Sequence, residues 1–323
     1  MPSTGTYIYK PSLEKKIPII DKDKHRVVSF SQYTKYFKCP KSWELRYIKK
    51  HKESKESIDL VFGQAMHSVI QEWLKVIYTE TVKKANLMDL SKMLLQTMTS
   101  EYGERKAKQG EHFSTPEELS SYFNDGVEIL NYLVKKRTRY FTTKKMTLIA
   151  IEFPVAASIH ENYPTIKLNG FIDLIFLDEN SGKYYIIDLK TSTRGWNDYK
   201  KKDELTTDQV LIYKKYLADL LQVDISLIVV SYFILKRKLQ ADSLWPQKRI
   251  QEFSPSSGKV SLNRVNKNLR KFVEDCFNTD GSYNTEKNYP AMAGKNYYNC
   301  VFCPYDERED LCPKNNRICL TLE

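Results

Sequence analysis

The chain has 323 residues, a length that allows one large domain or two domains of ordinary size. With 51 Lys and Arg against 40 Asp and Glu, its formal net charge is +11, and its 41% hydrophobic and 28% charged residues exclude a disordered chain. The longest mostly apolar run, residues 225–235, is too short to cross a lipid bilayer, so we expect no membrane partner.

Charge and the N-terminal residues indicate the partner and the location of the protein. A net charge of +11 favours a polyanionic partner such as nucleic acid, and the 22 Tyr side chains offer stacking surfaces. Residues 1–16 are polar and basic and lack the apolar segment of a secretory signal, which predicts a cytoplasmic protein. In a reducing cytosol, clustered cysteines indicate a metal or iron–sulfur site sooner than disulfides.

The periodicity of apolar residues predicts helices first and strands in the second half of the chain. Ser31 is a candidate N-cap of a short helix through Phe37, which the Cys39-Pro40 pair ends. The further predicted helices are 59–80, a continuation through Met98, 116–139, 206–221 and 261–277. The predicted strands are 148–155, 166–177, 183–189 and 225–235. This mixture predicts an α/β fold with a central mixed β-sheet flanked by helices, a helical insertion and a cysteine-rich closure.

The predicted strands 166–177 and 183–189 flank a turn-forming Asp-Glu-Asn-Ser-Gly segment and form a predicted β-hairpin. If the turn centres between Asn180 and Ser181, Asp173 and Asp188 face each other, with Cβ atoms roughly 5 Å apart. Lys190 follows Asp188 by two residues and therefore projects from the same face of its strand. A register slip of one residue would separate these groups.

Two carboxylates in an apolar sheet repel each other and are costly unless a cation lies between them. Oxygen ligands suit a hard divalent ion such as Mg²⁺ or Mn²⁺. A neighbouring lysine can offset negative charge that develops in a reaction. The alternative is a solvated hairpin face on which Lys190 forms a salt bridge with Asp188.

Five motifs lie in order along residues 29–312. They are Gly63-Gln64-Ala65-Met66-His67, Gly170-x-x-Asp173, Asp188-Leu189-Lys190-Thr191, Gln209-x-x-x-Tyr213 and the cysteines that bracket them. Each motif alone is weak, but in this order they resemble the PD-(D/E)XK nuclease superfamily. The resemblance is to its RecB-like branch, which includes the CRISPR-associated iron–sulfur exonucleases. It implies a restriction-endonuclease-like core.

The resemblance also implies a role for each matched residue. The implied metal ligands are Asp173, Asp188, the Leu189 carbonyl and His67. Lys190 would position the attacking water, whereas Gln209 and Tyr213 would support the site and contact the DNA strand. Glu152, on the preceding predicted strand, is a candidate for an outer carboxylate.

Two of these motifs have an alternative structural explanation. A lone histidine on a helix, such as His67, is more often a packed or surface residue than a ligand. Gly63 lies one turn earlier on the same face and would let a backbone or a metal approach, at a cost in helix stability. Gln209 with Thr206 fits a capping box, and Tyr213 fits the edge of an amphipathic core.

The cysteines form a separate group, in which Cys300-x-x-Cys303 can chelate one metal centre. In the iron–sulfur nucleases that the chain resembles, one early and three late cysteines hold a 4Fe–4S cluster. The ligands implied here are Cys39, Cys300, Cys303 and Cys312. The spacing before Cys312 is longer than usual, so Cys319 is an alternative fourth ligand, and Cys276 is expected to be a buried thiol. Zinc on the same thiolates is the alternative metal.

The expected organisation has five segments. They are an N-terminal extension (1–28), a cysteine segment (29–58), a helical region with the histidine motif (59–145), the nuclease core (146–260) and a C-terminal helix with the iron–sulfur region (261–323). We predict a metal-dependent DNA exonuclease that acts on single strands or DNA ends in recombination, repair or CRISPR-type processing. Candidate partners are a helicase, a recombinase or an adaptation complex.

Two other functions are compatible with the same fold. One is a catalytically silent DNA-binding module with a structural zinc site, against which the intact Asp173, Asp188 and Lys190 argue. The other is an endonuclease, against which the lack of an evident target-reading domain argues.

Overall fold

The computed structural model describes residues 6–9, 11–16, 19–21, 23–51, 56–241 and 243–320. In these ranges the helices are α1 (Pro11–Glu14), α2 (Phe30–Lys38), α3 (Pro40–Tyr47), α4 (Ile58–Thr79), α5 (Val82–Ala85), α6 (Leu90–Gln109), α7 (Pro116–Lys135), α8 (Arg137–Tyr140), α9 (Asp198–Lys202), α10 (Glu204–Leu221) and α11 (Lys259–Cys276). The strands are β1 (Tyr7–Ile8), β2 (Arg26–Ser29), β3 (Met146–Ser158), β4 (Ile166–Asp178), β5 (Lys183–Ser192), β6 (Ile228–Lys236), β7 (Ile250–Phe253), β8 (Ala291–Lys295) and β9 (Arg317–Leu320).

The chain packs as two compact units. Unit 1 comprises Met1–Lys16, Glu56–Pro154 and Phe171–Ser257. Unit 2 comprises Ile17–Lys55, Val155–Gly170 and Gly258–Glu323.

A mixed sheet with the strand order β1-β3-β4-β5-β6-β7 organises unit 1. β4 and β5 are antiparallel, β5 and β6 are parallel, and β6 and β7 are antiparallel. In unit 2, β2 pairs in parallel with the first residues of β4, and β8 pairs in parallel with β9. The expected α/β fold, a central mixed sheet flanked by helices, is therefore confirmed.

The β4–β5 hairpin has the register predicted from its turn. Leu174 pairs with Ile187 and Asp178 with Lys183, so Asp173 and Asp188 are the next facing positions. Gly182 in the turn has a φ of +67°, a conformation that glycine adopts without steric cost.

The core of unit 1 lies between α4 and one face of the sheet. The 22-residue helix α4 packs against α6, α7 and β5, and its buried residues include Trp73 and Leu74. Ile187 and Leu189 of β5 belong to the same apolar cluster. Because side chains alternate along a strand, Asp188 and Lys190 project from the other face, the side on which α10 also packs against β5 and β6.

Aromatic side chains dominate the core of unit 2. Trp43 lies edge-on to Tyr36, Phe272 and Phe277, with ring centroids 6.1 Å away in each pair. Such contacts add about 0.5–1.5 kcal/mol to each pair beyond the area they bury. They hold α2, α3 and α11 together.

Two predicted element boundaries were wrong for local reasons. The N-cap of α2 is Ser29, whose hydroxyl accepts from the Gln32 amide, rather than Ser31. The segment 225–227 forms a 3-10 turn capped by Asp224, so β6 begins only at Ile228.

Within the described ranges, no helix is both long enough and apolar enough to cross a membrane.

Candidate active site

The two hairpin carboxylates lie where the β4–β5 ladder ends. The carboxylate of Asp173 accepts a hydrogen bond from the Leu189 amide through Oδ2, at 2.7 Å. A side chain thus takes the place that a backbone carbonyl would have in a continued ladder. Asp188 is buried, with its Oδ2 2.6 Å from the Lys190 Nζ.

His67, Glu152 and Asp173 form a group in which one ligand atom from each lies within 4.8 Å of the others. The Nδ1 of His67 on α4 is 3.6 Å from Oδ2 of Asp173. The helix thus brings the predicted histidine to the hairpin. Glu152, which sequence analysis placed in an outer position, lies in this group, whereas Asp188 pairs with Lys190.

Glu152 reaches this position through an unusual backbone conformation. Its φ is +48°, a left-handed value inside strand β3 that a non-glycine residue adopts only at a cost of order 1–3 kcal/mol. The fully buried Gln71 on α4 donates from Nε2 to Glu152 Oε1 at 2.6 Å. Sequence analysis did not identify Gln71. Its signal is helical spacing, because it lies one turn after His67 on the same face.

A chain of polar contacts joins Lys190 to helix α10. Lys190 Nζ donates to Gln209 Oε1 at 3.1 Å, and Gln209 Nε2 donates to the Tyr213 hydroxyl at 3.1 Å. The capping-box alternative for Gln209 is wrong, because Asp203 caps α10 and accepts from the Leu205 amide.

Burial and charge shift the pKa values of Asp173, Asp188 and His67. Burial raises the pKa of Asp173 to about 7, with Glu152 adding to the rise and Lys190 opposing it. Burial likewise raises the pKa of Asp188 to about 6, against the charge of Lys190. Burial and then Lys190 lower the pKa of His67, while a hydrogen bond with the Leu189 backbone opposes the shift.

The pKa of Lys190 moves in the opposite direction. Burial alone would lower it, but the charges of Asp188 and Asp173 outweigh burial and hold it above its ordinary value. The lysine is therefore a fixed positive charge beside the carboxylates.

The donor set suits a hard divalent cation. Two buried carboxylates with raised pKa values carry negative charge that is incompletely compensated, and a cation would relieve this cost. Carboxylate oxygens with one imidazole nitrogen are ligands that Mg²⁺ and Mn²⁺ accept. The residues present thus fit the metal that the carboxylate pair predicts.

A second candidate site lies in unit 2, where four cysteines line one cavity. They are Cys39, Cys300, Cys303 and Cys312. Cys39 comes from the junction of α2 and α3, and the other three come from the segment between β8 and β9. Burial raises the pKa of Cys39, and hydrogen bonds with the backbone of Ser42 and Met292 oppose this rise. Backbone groups of this kind stabilise a thiolate.

The remaining two cysteines are placed differently. Cys276 is fully buried on α11, and burial holds the pKa of its thiol far above the usual range. Cys319 on β9 contacts the Gly294 carbonyl oxygen at 3.3 Å and does not line the cavity. The buried Arg317, which sequence analysis did not identify, lines the cavity and donates to the Cys312 carbonyl at 2.8 Å.

A family model of the PD-(D/E)XK nuclease superfamily matches residues 27–312. Among solved structures, the crystal structure of SSO0001 is similar, with 12% sequence identity over 91% of this chain and 92% of that chain and a TM-score of 0.36. No curated protein matches the chain. Since the family match spans most of the sequence, the protein belongs to the PD-(D/E)XK nuclease superfamily.

Proposed function

We propose that the protein is a metal-dependent deoxyribonuclease that degrades DNA from an end or as a single strand. One observation carries the proposal: His67, Glu152 and Asp173 form a compact group of possible metal ligands beside the ion pair of the buried Asp188 with Lys190. Membership in the superfamily indicates nuclease activity, and the net charge of +11 fits a polyanionic substrate. The resemblance of the motifs to those of RecB-like exonucleases supports the exonuclease mode.

The residues that would hold Mg²⁺ or Mn²⁺ are His67, Glu152, Asp173, Asp188 and the Leu189 carbonyl. The ion would stabilise negative charge on the phosphate and lower the pKa of water. Lys190 would hold a water molecule in line with the scissile phosphate and compensate developing negative charge. Gln209 would keep the Lys190 ammonium in place through its 3.1 Å contact, and Tyr213 would orient Gln209. The expected product carries a 5′ phosphate.

We propose further that the cysteine cavity holds a structural 4Fe–4S cluster. The support is that one early and three late cysteines line one cavity, as the resemblance implied. Two cations, Lys35 and Arg317, interact electrostatically with these cysteines and would offset the negative charge of a thiolate-ligated cluster. Zinc on the same four thiolates is the competing assignment.

The test of the nuclease proposal is cleavage of end-labelled linear and circular single-stranded DNA with Mn²⁺, Mg²⁺ or EDTA. We expect metal-dependent loss of the linear substrate alone, and no loss with Lys190→Ala. Lys215→Ala is a matched control, because Lys215 is a half-exposed lysine paired with Asp219 on α10. Cleavage of the circular substrate would favour an endonuclease. The absence of cleavage by folded, metal-loaded protein would favour a silent DNA-binding module.

A further inference from the structure

The loop between β6 and β7, residues 237–249, begins at the same end of the sheet as the candidate active site. β6 runs parallel to β5, with Lys190 beside Ile234 and Ser192 beside Lys236. The pairing continues into the loop, because the Arg237 amide donates to the Ser192 carbonyl at 3.0 Å and the Lys238 amide to the Thr193 carbonyl at 2.8 Å. The loop thus starts about 10 Å along the strands from Lys190.

The base of this loop is held firmly on helix α7. The buried Arg237 donates to Asp125 at 2.9 Å, and its guanidinium lies 3.6 Å from the ring centroid of Tyr122. Lys238 donates to the other oxygen of Asp125 at 2.8 Å. Breaking the ion pairs of a buried carboxylate is strongly unfavourable, so the start of the loop is held rigidly on α7.

The outer part of the loop is shaped by its own side chains. The Gln247 side chain accepts from the Gln240 amide at 2.9 Å and donates to the Gln240 carbonyl at 2.6 Å. The Ser243 hydroxyl contacts both the amide and the carbonyl of Trp245, at 3.3 and 3.0 Å. Pro246 restricts Trp245 to extended backbone conformations. The tip therefore presents its side chains in a defined geometry.

Two large apolar side chains at this tip are exposed to solvent. Trp245 is 80% exposed and Leu244 is 94% exposed, whereas Trp43, Trp73 and Trp196 are 4% exposed or less. Because an exposed indole is unfavourable in water, an aromatic side chain on a pre-shaped loop that starts at the active-site end of the sheet indicates a surface that a planar, apolar group covers.

The charges around the tip indicate what carries that planar group. Residues 236–249 contain five Lys or Arg and one Asp. Lys236 and Lys248 are close enough that, after burial, the charge of Lys248 is the second cause lowering the pKa of Lys236. Among the described residues, neither ammonium forms an ion pair or a hydrogen bond. Two neighbouring lysines with no ion pair among the described residues form a site for a phosphate, and a phosphate next to a stacking surface is the pattern of single-stranded DNA.

We propose that the β6–β7 loop binds single-stranded DNA, with Trp245 stacked on an unpaired base and Lys236 and Lys248 on the adjoining phosphates. The proposal rests on the proposed nuclease function and deepens it, because it makes unpaired DNA the preferred substrate at this site. A base pair inside a duplex hides both faces of each base, so blunt duplex DNA offers the indole only the outer faces of its two terminal pairs.

The test is binding in EDTA, where no cleavage occurs, with a fluorescent single-stranded oligonucleotide and a blunt duplex of equal length. We expect Trp245→Ala to weaken single-strand binding about tenfold or more, the loss for one stacked base, and to weaken duplex binding far less. Trp245→Phe should retain most of the affinity. Because Trp245 is the one exposed tryptophan, single-stranded DNA should quench wild-type tryptophan fluorescence and leave Trp245→Phe unquenched.

The lysines are tested through the salt dependence of the same binding. Replacing Lys236 and Lys248 with Gln should reduce the slope of log affinity against log salt by roughly 0.7 for each lysine. Leu87→Ala and Lys83→Gln are matched controls, because both residues are exposed elsewhere in unit 1, and neither should change the affinity or the slope.

Two results would overturn the proposal: an unchanged single-strand affinity of Trp245→Ala, or an equal loss of single-strand and duplex affinity. Cleavage by the wild-type protein in Mn²⁺ is measured separately and reports on the proposed function. A protein that cleaves DNA but binds it independently of Trp245 refutes the loop proposal alone. A protein that binds single strands through Trp245 without cleaving them refutes the nuclease proposal alone.

Discussion

The carboxylate of Asp173 accepts a hydrogen bond from the Leu189 amide at 2.7 Å and so continues the β4–β5 pairing beyond Leu174 and Ile187. The contact links the first carboxylate of the hairpin to the strand that carries the second. Burial raises the pKa of the Asp173 carboxylate to about 7, and the hydrogen bond from the Leu189 amide opposes that rise. One hydrogen bond therefore has a structural role and a role in positioning the candidate site.

The two roles can be separated with Asp173→Asn and Asp173→Ala. Asparagine keeps an acceptor for the Leu189 amide and removes a buried charge, so we expect it to be at least as stable as the wild type in EDTA. Alanine leaves the amide without that acceptor and should be about 1–2 kcal/mol less stable than Asp173→Asn in urea denaturation. Neither variant should show the rise in melting temperature that Mn²⁺ gives the wild type. A rise of equal size in all three proteins would contradict the metal assignment.

Gln209 and Tyr213 should affect catalysis without affecting metal binding. Gln209→Ala removes the acceptor that holds Lys190, and we expect cleavage to fall about 10- to 100-fold. Tyr213→Phe removes the hydroxyl that contacts Gln209 and the Phe171 backbone and leaves the Lys190–Gln209 contact in place, so it should have a smaller effect. Single-turnover cleavage and the Mn²⁺-induced thermal shift measure the two properties. Loss of the thermal shift in Gln209→Ala would place this residue at the metal instead.

Two helical glycines of unit 1 should respond oppositely to alanine. A Cβ on Gly63 would lie 3.4 Å from the Thr191 hydroxyl, so Gly63→Ala should be neutral or stabilising by up to about 1 kcal/mol. A Cβ on Gly126 would lie 2.5 Å from Leu94 Cδ2, with Phe62 and Met66 also close. Gly126→Ala should therefore cost about 1–3 kcal/mol. Urea denaturation measures both, and equal effects would contradict the packing around Gly126.

The cysteine cavity predicts which thiols matter for a bound metal. We expect anaerobically purified protein to be brown and Cys312→Ser to lose the colour, because Cys312 lines the cavity. Cys319→Ser and Cys276→Ser are the matched controls and should keep it. Absorption spectra and iron and zinc contents measure this. Stoichiometric zinc in a colourless protein would show that the site holds zinc instead of an iron–sulfur cluster. Loss of metal in Cys319→Ser would identify Cys319 as a ligand in place of Cys312.

Asp275 should make unit 2 sensitive to acid. Burial alone would raise its pKa, but hydrogen bonds from Lys287, Tyr36 and Lys271 hold the pKa below its ordinary value of 3.8. The native state then binds the proton less readily than the unfolded state. The stabilisation is therefore complete above pH 3.8 and is lost as the pH falls below that value towards the native pKa.

The matching variant is Asp275→Asn, which leaves the Lys287 ammonium without its carboxylate. Near pH 7 we expect a loss of about 1–3 kcal/mol, and below pH 3.8 the difference from the wild type should shrink. Thermal melts across this range measure it. Asp310→Asn, at an exposed ion pair with Arg308, should change stability little at any pH. A constant difference between Asp275→Asn and the wild type would contradict the acid-linked network.

Sequence alone determined the features that depend on near neighbours along the chain. The turn at Asn180 and Ser181 and the alternation of the two strands predict which residues of β4 and β5 face each other. The Asp173–Asp188–Lys190 arrangement follows from that register. Local periodicity also predicts helix α4 and therefore places His67 and Gly63 on one face. These predictions succeed because a hairpin and a helix are specified by contacts a few residues apart.

Only the tertiary structure decided which of two locally acceptable partners a side chain takes. Gln209 fits a capping box with Thr206, yet it contacts Lys190, because the parallel β5–β6 pairing and α10 bring Lys190 within reach. Glu152 enters the metal-ligand group through a left-handed backbone that no local pattern predicts. Cys312 rather than Cys319 lines the cavity because the pairing of β8 with β9 directs Cys319 to Gly294. In each case contacts between residues far apart in sequence outweigh the local preference, since packing and burial contribute more free energy than a cap or a spacing rule.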